Sequence, residues 1–407
     1  MRLAGATVVD GTGNGPVEGL AVDVKDGRIV EQPAEPASRS DVVDCGGLTI
    51  VPGLIDAHVH LGLSSHIDDA LAYRISVAEL AADMFDNCRR TLHAGFTTVR
   101  DTGGIDSGLA GVVASGKIPG PHIIHCGPVL CQTAGHGYQG AEWEPTSLWH
   151  QHDILGLRFV SLPGDGPDEV RKNAREAFGR GASFLKMCVT GGVVSRHDKL
   201  SDTQFTVEEI AAAVAEADAR GTYVTVHAHN NAGIRNAVAA GVRCIEHGTL
   251  IDTETAALLA EHDVALVPTL SVVRQLTAST TDAGLPDSMR ERLDGVYQGM
   301  VNAVEMARRA GVRVGLGTDL IGPNQDRRGL ELLIRAQIES PQLALEAATR
   351  VNAEILGIAD EVGTIEPGKR ADLVAFSGNP LEEPALFEDP DAVVLVVQNG
   401  KIVKDLR

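Results

Sequence analysis

Two histidine pairs with one intervening residue, His58-x-His60 and His227-x-His229, join His247, Lys186 and Asp319 as the residues whose types and spacing could do chemistry. His58 and His60 close the run Ile50-Val51-Pro52-Gly53-Leu54-Ile55-Asp56-Ala57-His58-Val59-His60-Leu61, which reads as a buried strand. Side chains two apart on a strand share a face, so both imidazoles point the same way and can chelate one ion. Alone, such a pair reads equally well as hydrogen-bonded core histidines. Imidazoles, a carboxylate and a lysine converging on one place suit a borderline-soft divalent ion, Zn²⁺ above all. Lys186 is the odd member, because Phe184, Leu185, Met187 and Val189 around it are apolar and an ammonium there needs a partner such as Asp319 or Asp101. A desolvated lysine is also a nucleophilic free amine. Such an amine can add CO₂ and become a carbamate, whose two oxygens can bridge two metal ions.

The middle of the chain alternates strand-like and helix-like text, the pattern of parallel β/α architecture. After the opening strand come strand-like runs at 96–101, 122–126, 184–189, 223–227, 243–247, 264–268 and 312–319. Between them lies helix text; Thr206 with Glu209 three residues later predicts a capped helix running toward Gly221. Eight such units over about 300 residues predict a (β/α)8 barrel, or TIM barrel, whose chemistry lies at the C-terminal ends of its strands. His58, His60, His227, His229, His247 and Asp319 fall at those ends, and Lys186 lies on the fourth strand. Scattered structural histidines have no reason to prefer one rim.

The two ends of the chain read differently. Residues 1–54 are short alternating runs broken by turns such as Lys25-Asp26-Gly27, and residues 359–407 carry strands at 371–376 and 392–397, with Asn399-Gly400 turning into Lys401-Ile402-Val403. The predicted organisation is α/β: a catalytic barrel over 55–358 and a small composite β-sandwich formed by 1–54 with 359–407. With 35 basic against 55 acidic residues the formal charge is −20, which argues against a nucleic-acid partner. Cys45, Cys88, Cys126, Cys131, Cys188 and Cys244 form no Cys-x-x-Cys pair and fit reduced thiols. No charged leader precedes an apolar segment and no run of about 18 apolar residues occurs, so a cytoplasmic protein without a membrane partner is expected. The partners left are a small-molecule substrate and further copies of the chain in a homo-oligomer.

Taken together, His58 and His60, Phe184-Leu185-Lys186-Met187, Val226-His227-Ala228-His229, Ile245-Glu246-His247-Gly248 and Gly317-Thr318-Asp319 resemble the metal-dependent amidohydrolase superfamily. The stretch from Gly363 through Glu366-Pro367-Gly368 to Val374 resembles that superfamily's C-terminal segment, so the likeness covers nearly the whole chain. It implies a barrel with a composite sandwich and a binuclear centre. His58, His60 and Asp319 would hold one divalent ion, His227 and His247 the other, and carbamylated Lys186 would bridge them. Two divalent cations, a carbamate, an aspartate and a bridging hydroxide sum to about +1, which leaves the site electrophilic. The resemblance further implies that this hydroxide attacks a carbonyl and that Asp319 passes its proton to the leaving nitrogen.

Within the superfamily, Thr133-Ala134-Gly135-His136-Gly137 and Gly191-Gly192-Val193-Val194-Ser195 resemble prolidase-like members, the Xaa-Pro dipeptidases and Xaa-Lys/Arg carboxypeptidases. His136 would then orient or polarise the substrate. His229 stands where those peptidases often carry a tyrosine, and it could donate to an oxyanion. A substrate carboxylate would need a cation, Arg196 or Arg327-Arg328, and Tyr138, with Trp143 and Trp149, could wall the pocket. The implied activity is cleavage of a C–N bond in a small peptide or N-acyl amino acid, with non-peptide amides, phenylureas or carbamates as the alternative. A single-metal deaminase would need no bridging lysine, and a dead scaffold should have lost ligands, whereas all six ligand positions are filled.

Overall fold

The computed structural model describes residues 1–31, 41–64, 74–193, 197–283, 287–323 and 325–407. At the N-terminal end run β1 (Arg2–Val8), β2 (Val17–Lys25), β3 (Arg28–Val30), β4 (Val42–Asp44) and β5 (Thr49–Pro52). The middle holds β6 (Leu54–Val59), β7 (Phe96–Asp101), β8 (His122–His125), β9 (Val129–Cys131) and β10 (Ser161–Pro163). It continues with β11 (Leu185–Cys188), β12 (Val224–Ala228), β13 (Cys244–His247) and β14 (Ala265–Val267). The C-terminal end adds β15 (Leu373–Phe376), β16 (Val393–Gln398) and β17 (Lys401–Asp405).

The two ends meet in one sheet of order β17-β16-β15-β5-β1-β2-β3, with β4 paired to β1. The join is antiparallel, with Val374 opposite Val51 and Ala375 opposite Ile50. Leu3, Val24, Ile50, Leu373 and Leu395 form its core. The expected hairpin turns are present: Asp26 (φ 52°) with Gly27 (φ 80°), and Asn399 (φ 50°) with Gly400 (φ 72°), the left-handed pair that a two-residue turn demands.

The middle forms two parallel sheets, β6-β7-β8 and β10-β9-β11-β12-β13-β14, with helices in the connections. Alternation decides which side chains face inward. On β11, Leu185 and Met187 pack with helix residues Val170, Ile210 and Ile234, which leaves Lys186 and Cys188 to face a cavity. The predicted helix spans Val207–Asp218 and carries both halves of the capping box between Thr206 and Glu209. Strands β9 and β10 were not expected; at three residues each they are too short to show a period.

Residues 312–319 form no full strand. A single parallel bridge joins Val314 to Leu266. The Leu266 N–H donates to the Arg313 carbonyl (2.9 Å) and the Gly315 N–H to that of Leu266 (2.8 Å). On the other side the Ala57 N–H donates to the Leu316 carbonyl (3.0 Å) and the Asp319 N–H to that of His58 (2.8 Å), so the segment lies between β14 and β6. The Asn352 amide takes over ladder bonds there, accepting from the Leu316 N–H (3.0 Å) and donating to the carbonyls of Leu316 and Ile55 (2.8 Å each). Among the described residues no helix is long and apolar enough to cross a membrane.

Candidate metal centre and active site

The C-terminal ends of the parallel strands surround a cavity of about 210 Å³. His58, His60, Lys186, His227, His247 and Asp319 all line it, together with His136 and His229. Val59 packs in the core on the helix side, so period-two geometry does send His58 and His60 inward together. His247 and Asp319 enter differently. Both have left-handed backbone, φ 71° and φ 54°, an uncommon state for non-glycine residues that clusters at functional sites.

Each inward ring is held by its outer nitrogen. His58 donates its Nδ1–H to Glu246 (2.7 Å), and His60 donates its own to the Gly103 carbonyl (2.7 Å). His227 is reversed: its Nε2–H donates to the Gly191 carbonyl (3.2 Å), which leaves Nδ1 unprotonated. His247 Nδ1 is bonded to the Thr269 hydroxyl (2.8 Å) and His229 Nδ1 to the Thr249 hydroxyl (2.7 Å). Second-side bonds of this kind fix the tautomer and the orientation of a metal-binding imidazole.

The inner atoms then converge. His58 Nε2 lies 3.3 Å from His60 Nε2, and Asp319 Oδ1 is 3.4 Å and 3.1 Å from the two. Lone pairs gathered this closely require a cation between them, a proton or a metal ion. Two groups among the described residues have ligand atoms mutually within 4.8 Å: His58, His247 and Asp319, and His227, His229 and His247. Burial, then the nearby His136, His229 and His247, holds His227 well below the usual histidine range, the neutral state a ligand needs. Burial does the same for His247, against the pull of Asp319. Burial alone would raise Asp319, but His58 and His60 outweigh it and hold the carboxyl well below its ordinary range.

Lys186 lines the same cavity, 3% exposed. Its Nζ has no hydrogen-bond partner among the described residues, so neither Asp319 nor Asp101 neutralises it through a bond. Cys188 lines the cavity beside it, but burial pushes its thiol up to about 12, an inert state.

His136 stacks on His227 with ring centroids 4.0 Å apart, and its Nδ1 lies 3.9 Å from Asp198 Oδ2. Asp198 is itself held by the Gly192 N–H (3.0 Å) and by Gln204 (2.9 Å). Burial, with His136 next, lowers His229 to about 3, so it faces the cavity neutral. If the Thr249 hydroxyl donates to Nδ1, His229 keeps an Nε2–H to donate. The remaining expected substrate contacts lie elsewhere. Tyr138 is buried against Trp149 and donates its hydroxyl to the Glu144 carbonyl (2.8 Å), while Trp143 is 85% exposed; none of these three rings lines the cavity. Arg328 is buried and pairs with Asp56 (3.1 Å), and Arg327 pairs with Glu388, so neither faces substrate. Arg196 lies outside the described residues.

Sequence reasoning missed the support beneath His58. Glu246 and Arg100, both fully buried, form an ion pair at 2.6 Å, and Glu246 also accepts from His58 and from the Thr225 hydroxyl. Burial works to raise Glu246, but Arg100, Lys186 and His58 together hold its carboxyl far below the usual range. The signal was available: a charged residue at an inward position of an apolar strand, the argument that singled out Lys186.

The Amidohydrolase family model matches residues 49–403. The ochratoxinase of Aspergillus niger is 32% identical over 370 residues, covering 87% of this chain and 75% of that protein. A prolidase solved in complex with N-methylphosphonate-L-proline is 36% identical, with a TM-score of 0.90 over 99% of each chain. A Xaa-Pro dipeptidase with bound methionine in its active site is 28% identical, with a TM-score of 0.85 over 99% of each chain. The chain therefore belongs to the amidohydrolase family, and it is a prolidase-like hydrolase of C–N bonds.

Proposed function

We propose that the protein is a binuclear metal-dependent hydrolase of small peptides or N-acyl amino acids, working in the cytoplasm as a homo-oligomer. In this reading residues 55–358 close as a (β/α)8 barrel and residues 1–54 with 359–407 form a composite sandwich. His58, His60 and Asp319 would hold one divalent ion and His227 and His247 a second, and a carbamate on Lys186 would supply further oxygen ligands, with Zn²⁺ suited to the nitrogen-rich set. The observation that carries this reading is the Nζ of Lys186, buried without a hydrogen-bond partner among the described residues. Glu246 lies near enough to feel its charge, but a buried ammonium whose protons make no hydrogen bond is costly, whereas a carbamate on that nitrogen would offer oxygens able to ligate cations.

Two bound divalent ions would supply charge stabilisation for a polarised carbonyl and a water acidified toward neutrality. The chain's own groups do the rest. His136 and His229 line the cavity on the same side as His227 and orient the carbonyl oxygen. Asp319, ionised and aimed inward, accepts a proton from the attacking water and returns it to the leaving nitrogen. Overall the C–N bond breaks, a C–O bond forms, and acid and amine leave. Non-peptide amides, phenylureas or carbamates are the second reading, favoured because Arg327 and Arg328 are engaged by Glu388 and Asp56 and leave a substrate carboxylate without either.

Lys186→Ala is the test. The variant should lose most bound metal and at least about 100-fold in activity, and acetate or propionate should restore part of both by standing in for the carbamate. Full metal content and activity in the variant would overturn the binuclear reading.

A further inference from the structure

The cavity has two unlike sides. On one, the polar His136, Gln139 and His229 stand among the apolar Val129 and Val160. On the other, Val272, Val273 and Leu276 from the helix Leu270–Ala283 meet Met300 from the helix Asp287–Arg309, with Ile321 beside them. Val193, from the loop after β11, packs against the same cluster and extends the wall. Among the described lining residues, Lys186 and Asp319 are the charged side chains other than histidine, and the metal set claims both.

The wall is also held firmly against the site. A Cβ on Gly299 would lie 2.7 Å from the Thr249 carbonyl, so the second helix rests directly on the loop whose threonine hydroxyl binds His229. Met300 is thereby fixed at the edge of the chemistry. A carboxylate or ammonium placed on this side would lose its water and find no partner among the described residues of the wall, while an alkyl or aryl group would gain burial.

We infer that one of the two substituents flanking the scissile C–N bond is a bulky, uncharged apolar group seated against Val272, Val273, Leu276, Met300 and Ile321. This rests on the hydrolase reading and names the substrate class within it. Each methylene buried against the wall should raise kcat/KM about fourfold until the surface is covered.

The test is a comparison of matched series with the metal-loaded enzyme. N-acylglycines from acetyl to octanoyl vary one side of the bond; N-acetyl derivatives of alanine, valine, leucine and phenylalanine vary the other, with aspartate and lysine as charged controls. Acetanilides and phenylureas with growing para-alkyl groups cover non-peptide substrates. One series should climb about fourfold per methylene, chiefly through KM, and Leu276→Gln or Met300→Gln should flatten that slope while Met300→Leu preserves it. Flat or falling series, or better turnover of the charged controls, would overturn this inference and leave the hydrolase reading intact. No turnover in any series would overturn both.

Discussion

Replacing Glu246 with glutamine should separate what this residue does for folding from what it does for metal binding. Its Oε1 faces Arg100 at 2.6 Å and the Thr225 hydroxyl, and its Oε2 faces His58 Nδ1 at 2.7 Å. A carboxamide keeps one acceptor. If the amide oxygen stays toward Arg100, its NH₂ meets His58 Nδ1, which must give up its proton, and the shift to Nε2–H spoils the ligand. If the amide turns over, its NH₂ opposes the guanidinium. In either orientation Arg100 is left buried without a counter-charge, a loss of about 3–5 kcal/mol. At about 2.1 cal/mol/K per residue, the 407-residue chain unfolds with an entropy of about 0.85 kcal/mol/K, so Tm should fall by about 4–6 °C. Calorimetry on chelator-treated protein reads this part free of metal. Metal affinity, measured by chelator competition, should fall about 10–100-fold through the misplaced His58. Replacing both Arg100 and Glu246 with methionine removes charge and counter-charge together, so it should recover most of the stability and none of the metal affinity. A Glu246→Gln variant within about 1 °C of the parent, with metal affinity within about twofold, would refute the reasoning.

Two further perturbations act on other parts of the molecule. A Cβ on Gly192 would lie 2.0 Å from His136 Cε1, so Gly192→Ala should push that ring off His227 and lower kcat/KM by roughly 100-fold while circular dichroism shows the fold retained; unchanged kcat/KM would remove His136 from the mechanism. Glu331 is buried, accepts from the Ser271 N–H (2.6 Å), and is pushed by burial from 4.5 up to about 8, with Arg335 opposing. Because its folded value is raised, the stability it contributes is complete below about pH 4.5 and is lost as pH rises through about 8, by up to about 5 kcal/mol. Between about pH 5 and pH 9, Tm should therefore fall less in Glu331→Gln than in the parent, and parallel curves would rule the ionisation out.

Some of the site was legible because strand alternation is a strict rule. Lys186 and His227 sit at inward positions of β11 and β12, with Leu185, Met187, Val224 and Val226 turned to the helices, as the apolar pattern requires. The paired ends were legible too, because Lys25-Asp26-Gly27 and Asn399-Gly400 are turns with a local backbone cause. The same alternation fails at His247. On β13, Ile245 belongs to the helix-side core, so strict period two would send His247 there as well. What brings it inward is the left-handed backbone at φ 71°; Asp319 keeps the alternation, with Val312, Val314 and Leu316 in the core, and shares only the left-handed backbone, at φ 54°. No local residue preference announces either turn, since neither position is glycine; the surrounding contacts must impose it. For Asp319 those contacts can be named. Buried Asp56 accepts from the Thr318 N–H (3.0 Å) and hydroxyl (2.6 Å), and Arg328 binds both Asp56 and Thr318, clamping the residue before Asp319 to the strand that carries His58. Arg328 was expected as a cation for substrate, and its place in this clamp explains both why it cannot serve there and why Asp319 holds a strained backbone. The strained backbone at Asp319 and the withdrawal of Arg328 from the cavity thus have one cause, a guanidinium committed to the strand that carries His58.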